Sequence, residues 1–377
     1  MTLNILIFTH QYYPGIGGVE DVVKSIAKTL LKRYYNDGAG YINKLVIITG
    51  DKNRFNVRKE ERGGLIIFRW PVFSCNNAYF IPYKPLNLRN FIKKIVIQNN
   101  INIAHIHCSH AVFPVLSGLF VKSAFGENIK LVFSMHYHGH GHTLFREFMW
   151  KLWYFYVKKL ISLSDVIHCV SNIESQRIIR DFPFSSHKII IIPNGVNKEI
   201  YNYKWKGNES DYMLYAGRVE KYKNIEKSFL LLKIMNRYYN RKGIKLRIVG
   251  EGPYLNKLKK TTQKMRLYKD IIFDKFLPKY EYYKVLSNAL LTINPSEYEA
   301  FSTLVAESLA IGTPSIVSIP ISKIYPSFIN NDISILPFDI HKILNILELK
   351  LLMPKKKISL LSWEDVVDRL MNIYLSL

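Results

Sequence analysis

Residues able to do chemistry gather at four places in the chain. The first is Glu299 and Glu307, set eight positions apart in Pro295-Ser296-Glu297-Tyr298-Glu299-Ala300-Phe301-Ser302-Thr303-Leu304-Val305-Ala306-Glu307. This stretch follows an apolar run and opens a helix. Ser302 is the expected N-cap, and Gly312 followed by Pro314 is a stop signal. Free N–H groups in the first turn, near Thr303 and Leu304, would form an anion site suited to phosphate. Glu307 is placed to accept bonds from a ribose hydroxyl pair, and Glu299 from the hydroxyls of a sugar. The plainer alternative is a capped surface helix with two solvated acids.

The second place is Ala216-Gly217-Arg218-Val219-Glu220-Lys221-Tyr222-Lys223-Asn224, again between a strand and a helix. Arg218 and Lys223 supply the paired positive charge that a diphosphate leaving group requires, although a basic loop is unremarkable in so basic a chain. Third, Tyr13-Pro14-Gly15-Ile16-Gly17-Gly18-Val19-Glu20 joins the first strand to the first helix. Gly17 and Gly18 allow backbone to approach a ligand closely, but the pattern is not G-x-G-x-x-G. Fourth, His136, His138, His140 and His142 alternate after a strand. Alternating histidines can hold zinc. No Cys or acidic ligands lie near them in sequence, and contact with sugar or phosphate suits them equally.

The elements that must position these groups alternate in type. Residues 3–9, 45–49, 65–70, 103–108, 130–135, 166–171 and 189–192 read as buried strands. Helical periodicity lies between most of them, clearest at residues 19–31, 86–98, 144–163 and 173–180. Strands separated by helices pair in parallel by crossover, giving an α/β doubly wound sheet. Pro193-Asn194-Gly195 closes this half, and polar residues 197–210 read as a linker. A second array follows, with strands at 213–216, 246–249, 271–273, 290–294 and 314–317, and an amphipathic helix at 361–375. Two Rossmann-like domains are therefore expected: 1–198 with 359–377 returning to it, and 199–358. Ligands would bind at the carboxyl ends of the strands.

The totals agree. A chain of 377 residues fits two domains, and 48% hydrophobic with 22% charged residues is a globular balance. The net charge of +24 implies attraction to something acidic, namely a membrane leaflet, nucleic acid or phosphate-bearing small molecules. Cys75, Cys108 and Cys169 show neither a disulfide framework nor a C-x-x-C pair, which fits a reducing compartment. The first residues lack a basic leader, and no stretch approaches the roughly 18 apolar residues of a spanning helix. A cytoplasmic protein is expected, with a peripheral seat on the cytoplasmic membrane face as a further expectation.

Together these motifs resemble the large retaining glycosyltransferase family of GT-B fold, family 4 or group 1. Its markers occur here in order: Gly17-Gly18-Val19-Glu20, Asn194-Gly195-Val196, Arg218 with Lys223, Gly250-Glu251-Gly252-Pro253, and Glu299 with Glu307. The run 136–143 resembles the family's histidine loop, and Ser362-Trp363-Glu364-Asp365 its closing helix. The resemblance covers nearly the whole chain. It implies two Rossmann-like domains facing a central cleft, and transfer of a hexose-type sugar from a nucleotide-diphosphate sugar to a glycan or lipid-linked acceptor, with retention and without a metal or other cofactor. By that pattern Arg218 and Lys223 bind the diphosphate and Glu307 the ribose. Glu299 holds the transferred sugar together with the amides of Phe301, Ser302 and Thr303. His136 lies near the sugar, and Gly17 and Gly18 on the phosphate side. The absence of any Asp-x-Asp agrees with metal independence.

Two departures bear on the donor. Ala300 stands where the family usually has Gly, and its methyl is expected to crowd the donor sugar. After Thr313-Pro314 the usual Gly-Gly-x-x-Glu is replaced by Ser318-Ile319-Pro320-Ile321-Ser322-Lys323, and the stretch to Asp339 is short. The alternatives are a non-catalytic partner of the same fold and, on charge alone, a basic nucleic-acid-binding protein, for which no recognised module is present. Residues 144–160 and 87–96 are aromatic and basic, or basic and amphipathic. They are read either as helices packed on the first sheet or as contacts to an anionic membrane.

Overall fold

Leu3–Thr9 forms β1 because each of its side chains is apolar or can be satisfied within a sheet, and all are buried. Strands covered on both faces lose the polar alternation of a half-exposed strand. The computed structural model describes residues 2–15, 17–36, 40–52, 55–75, 78–139, 144–238, 243–328, 333–335 and 358–377. The chain divides into two compact units, residues 1–195 with 361–377, and residues 196–360.

The first unit continues with α1 (Gly18–Leu30), β2 (Ile42–Asp51), β3 (Arg58–Arg62), β4 (Leu65–Cys75), β5 (Ala78–Pro82), α2 (Pro85–Gln98), β6 (Ile103–His107), α3 (Val112–Phe125), β7 (Lys130–Ser134), α4 (Leu144–Leu163), β8 (Val166–Cys169), α5 (Asn172–Asp181) and β9 (Ile189–Ile191). The sheet order is β3-β4-β2-β1-β6-β7-β8-β9, with β5 also paired to β4. Pairing is parallel except at β3 and β5, which run antiparallel to β4. These two edge strands depart from the all-parallel expectation. Arg58–Arg62 is a charged run with no apolar signal; it is held to β4 by the backbone ladder and by the Arg69 guanidinium donating to the Glu60 carboxylate at 2.6 Å, as a charged edge strand can be. Helix α3 was also not among the clear periodic stretches. It is apolar around most of its circumference, and the stripe that marks a surface helix is missing.

Successive side chains of a strand point to opposite faces, so one sheet feeds two cores. Leu6, Phe8, Val46 and Ile48 join α2, α3 and α4 on one side. Ile5, Ile7, Leu45 and Ile47 join α1 on the other.

The second unit holds β10 (Tyr212–Ala216), α6 (Lys227–Tyr238), β11 (Lys245–Val249), α7 (Leu255–Lys264), β12 (Ile271–Asp274), α8 (Lys279–Asn288), β13 (Leu291–Asn294), α9 (Thr303–Ile311), β14 (Ser315–Val317), α10 (Ile319–Ser322) and β15 (Ile333–Ile335). Its sheet, β12-β11-β10-β13-β14-β15, is parallel throughout. The expected linker is a correction. Val196, Ile200 and Trp205 are buried in this unit's core, and the Trp205 indole N–H donates to the Ala289 carbonyl at 2.8 Å. The polar residues around them disguise three apolar anchors. The last helix, α11 (Trp363–Ser376), belongs to the first unit. It begins with a capping box between Ser362 and Asp365 and buries Val366, Val367, Leu370, Met371 and Tyr374 with α1.

Candidate active site

In an open α/β sheet the ligand position lies outside the carboxyl ends of the strands where the order reverses. In the second unit that point is between β10 and β13. The loop after β10 carries Gly217, Arg218 and Lys223, and the loop after β13 carries Glu299 and leads into α9.

Backbone and side chains tie these loops together. The Glu297 amide donates to the Tyr222 carbonyl at 3.2 Å, and the Lys223 ammonium pairs with the Glu299 carboxylate. Both side chains are largely buried. Burial alone would lower the Lys223 pKa, but the Glu299 carboxylate outweighs it, and the ammonium is held above its ordinary range. Arg218 is half exposed, with its Nε 3.3 Å from Glu220. Its carbonyl accepts from the Tyr215 hydroxyl at 3.0 Å.

The turn Gly250-Glu251-Gly252 explains how Arg218 is held. A Cβ at Gly250 would lie 2.0 Å from the Gly217 carbonyl oxygen, and one at Gly252 2.2 Å from that of Val219. The Val219 amide donates to the Glu251 carbonyl at 3.0 Å. Only glycines admit this approach, which braces the arginine loop from behind.

Ser302 sits at the N-cap of α9, but its hydroxyl does not cap the helix. This corrects the sequence expectation. Asn294, at the end of β13, donates from its amide to the Ser302 hydroxyl at 2.7 Å, and the Tyr325 hydroxyl donates to the Ser302 carbonyl at 2.8 Å. The first turn of α9, with Thr303 and Leu304, therefore begins without a side-chain cap, and such a terminus favours an anion. Phe301 packs its ring 5.9 Å from that of Tyr325.

Glu307 is buried on α9. The Lys279 ammonium donates to its Oε1 at 2.9 Å, and the Tyr282 hydroxyl also bonds it. Burial and this carboxylate push the Tyr282 phenol well up. Sequence reasoning missed Lys279 and Tyr282. Their only signal is a cation and a phenol in the first turn of a helix that follows Pro278.

In the first unit the order reverses between β1 and β6. Histidines collect there, on or just past the ends of β1, β6, β7 and β8. His107 Nδ1 is 3.1 Å from His136 Nε2. His105 meets the Tyr374 hydroxyl at 2.6 Å and the Ser134 hydroxyl at 2.7 Å. Ser134 also meets His168 Nδ1 at 2.6 Å, and the other ring nitrogen of His168 lies 2.9 Å from the Ile192 carbonyl. Burial lowers the pKa of His136 to about 3 and that of His168 to about 4, so both rings are neutral. His10 is the exception. Burial would lower it, but Cys108 and Glu20 raise it to about 10. Its Nε2 lies 3.5 Å from Glu20. Glu20 fills the space beside Gly17, where a Cβ would meet its carboxylate at 2.3 Å, whereas Gly18 faces open space. Only His136 of this group was singled out from the sequence. His10, His105, His107 and His168 lie at or near strand ends without any spacing that would mark them.

His138 stacks on His110 with centroids 4.2 Å apart. His140 and His142 lie outside the described residues, as do residues 336–357 with Asp339. Among the described residues no group of three or more His, Cys, Asp or Glu side chains could hold a metal ion. Cys108 and Cys169 are free thiols.

Comparison with known proteins decides the family. The family model for glycosyl transferases group 1 matches residues 198–336, and that for glycosyltransferase family 4 matches residues 16–200. The chain belongs to the group 1 glycosyltransferases. It is an enzyme of the transferase class with the GT-B fold. Alpha-monoglucosyldiacylglycerol synthase of Streptococcus pneumoniae is 23% identical over 338 residues, which cover 83% of this chain and 70% of that protein. Among solved structures, sucrose-phosphate synthase from Thermosynechococcus elongatus superposes with a TM-score of 0.75 at 18% identity, covering 99% of this glycosyltransferase and 98% of that chain. Anabaena HepE in complex with UDP gives a TM-score of 0.70 at 12% identity over the whole of both chains.

Proposed function

We propose that this glycosyltransferase transfers a hexose-type sugar with retention from a nucleoside-diphosphate sugar to a glycan or lipid-linked acceptor, without a metal ion. The observation that carries the reading lies in the second unit. Lys223 and Glu299 are paired at the switch point, beside Arg218 and before the uncapped start of α9. Two cations and a helix terminus can neutralise a departing diphosphate. In this reading Arg218 and Lys223 bind the diphosphate. Glu299 and the amides of Phe301, Ser302 and Thr303 hold the sugar and its phosphate, and Glu307 accepts from the ribose. In the first unit His136 serves near the sugar, and Gly17 and Gly18 on the phosphate side. These assignments rest on the family pattern and on each unit's own geometry.

The leaving diphosphate takes the electron pair of the anomeric bond, the acceptor hydroxyl oxygen bonds the anomeric carbon on the same face, and its proton passes to the departing diphosphate oxygen. No protein nucleophile is required. A uridine donor is favoured because a solved relative is described with UDP and with UDP-glucose. A lipid-linked acceptor, and a seat on an anionic membrane surface, are favoured by the net charge of +24 and by the name of the pneumococcal relative.

The test is binding and slow hydrolysis of UDP-, GDP- and ADP-sugars, with Arg218→Ala and Glu307→Ala as controls and a chelator arm. One donor bound and hydrolysed, lost in both variants and indifferent to chelator, is the expected result. NMR of the transfer product reads the anomeric configuration. No binding to any donor by folded protein would favour a non-catalytic partner, with Ala300 as the first suspect.

A further inference from the structure

Helix α4 does two things at once. Trp150, Val157, Leu160 and Ile161 are buried in the first unit's core. On the other side Phe148 is 60% exposed, Leu152 58% and Phe155 71%, with Tyr156 and Leu163 also exposed. Residues 148, 152, 155 and 159 follow i, i+4, i+7 spacing, so they share one face. Lys159 continues that row, and exposed Lys151 and Lys158 flank it. The helix has a single acid, Glu147, in its first turn. The Lys158 ammonium lies 5.9 Å from the ring of half-exposed Phe184, which extends the patch.

Two large aromatics and a leucine held in water beside lysines lose free energy unless something covers them. We propose that this exposed face of α4 is a membrane-docking surface that lies in the headgroup region of an anionic bilayer. Charge selects the occupant: lysines beside apolar side chains match anionic headgroups above acyl chains, and the chain carries +24 overall. Among the described residues no helix is long and apolar enough to cross a membrane, so the helix lies on the bilayer. The docked geometry has a use. The Trp153 indole donates to the Ser109 carbonyl, just past the end of β6, at 3.2 Å. The first half of α4 is thus anchored beside the carboxyl ends of the first unit's strands, and docking sets that edge near the headgroups where a lipid-linked acceptor would be found. This rests on the transferase reading for its purpose but not for its test.

The full chain is sedimented with vesicles of phosphatidylcholine alone, and of phosphatidylcholine with phosphatidylglycerol, at low and high salt. The variants are Phe148→Gln/Leu152→Gln/Phe155→Gln and Lys151→Glu/Lys158→Glu/Lys159→Glu. All six positions are exposed, so folding is retained and is checked by circular dichroism. Expected is salt-sensitive binding to anionic vesicles only, weakened about tenfold or more by the apolar triple and by roughly fivefold per lysine by the charge triple. Donor hydrolysis in solution is expected to be unchanged in both. Equal binding by parent and variants overturns the surface, as does absence of binding by a parent that still hydrolyses donor. A concentration-dependent dimer lost in the apolar triple, with no vesicle binding, shows that a second copy covers the face and also overturns it. Vesicle binding without donor hydrolysis supports the surface and counts against the donor reading instead.

Discussion

His107 Nδ1 lies 3.1 Å from His136 Nε2, and the remaining nitrogen of His107 is buried with no hydrogen-bond partner among the described residues. A buried N–H without an acceptor is rarer and costlier than a bare lone pair. The proton of His107 therefore belongs on Nδ1, donated to His136, which leaves His136 with its own proton on Nδ1. One ring sets the tautomer of the other. His107→Ala is expected to lower kcat by roughly 10-fold or more with little change in donor KM. His107→Asn, which keeps a donor, recovers part of it. Steady-state kinetics of the two variants check this.

The same cluster sets a pH dependence. His136 and His168 have native pKa values of about 3 and about 4, below the unfolded value of 6.5, and His105 and His107 are lowered too. Between those values and 6.5 the unfolded chain binds more protons, so stability falls as pH drops through that window, on the order of 1 kcal/mol per pH unit for each ring. Glu174, raised to about 7 mainly by burial, works the other way between 4.5 and 7, but it is one group against four. His10, raised to about 10, stabilises fully below 6.5, and that contribution fades as pH climbs toward 10. Urea unfolding followed from pH 4 to pH 9 should show a net loss on the acid side and a smaller one on the alkaline side. His168→Asn should flatten the acid limb.

In the second unit, Lys223→Ala removes the ammonium that pairs with the Glu299 carboxylate, and with it one of two proposed diphosphate cations. A loss of roughly 10²–10³ in kcat is expected. Glu299→Gln alone should cost less, and the double variant should cost less than the sum, because the two side chains interact. A double-mutant cycle on kcat/KM measures the coupling, and additive losses would sink the pairing as a working unit.

Lys279→Ala removes the ammonium from buried Glu307, though Tyr282 remains on that carboxylate. Stability should fall by about 1–3 kcal/mol. Donor KM should rise severalfold while kcat holds, because the proposed ribose contact would be uniform binding. An unchanged KM would remove Lys279 from the donor site.

Two glycines separate fold from function. Gly250→Ala drives a methyl into the Gly217 carbonyl and should destabilise the unit and displace Arg218, weakening donor binding. Gly18→Ala meets nothing within 4 Å. It should leave the melting temperature unchanged and raise donor KM only if phosphate approaches there. Calorimetry and donor titration on the pair distinguish the two roles.

The motifs proposed for the donor were legible because they are local: Arg218, Lys223 and Glu299 sit in short strand-to-helix loops, and Glu307 on the helix that follows the second of them. What the sequence could not show is what these residues meet. Lys279 reaches Glu307 across 28 positions and Tyr374 reaches His105 across 269. Such contacts follow from topology, not from spacing. Ser302 failed as a capping side chain because Asn294, one strand-end back, claims its hydroxyl. Helix α3 and the anchors Ile200 and Trp205 escaped notice for opposite reasons: the helix is apolar nearly all round, and the anchors sit among polar neighbours.

Helix α11 packs its apolar face against α1, although residues 31–362, the whole second unit included, separate the two in sequence. On the ribosome, that face of α1 must therefore wait for its partner while residues 31–362 are made. Of the two units, the one begun earlier is the one completed later. Tyr374, whose hydroxyl meets His105, arrives only after the second unit has been made, so the histidine cluster is completed only when that wait ends.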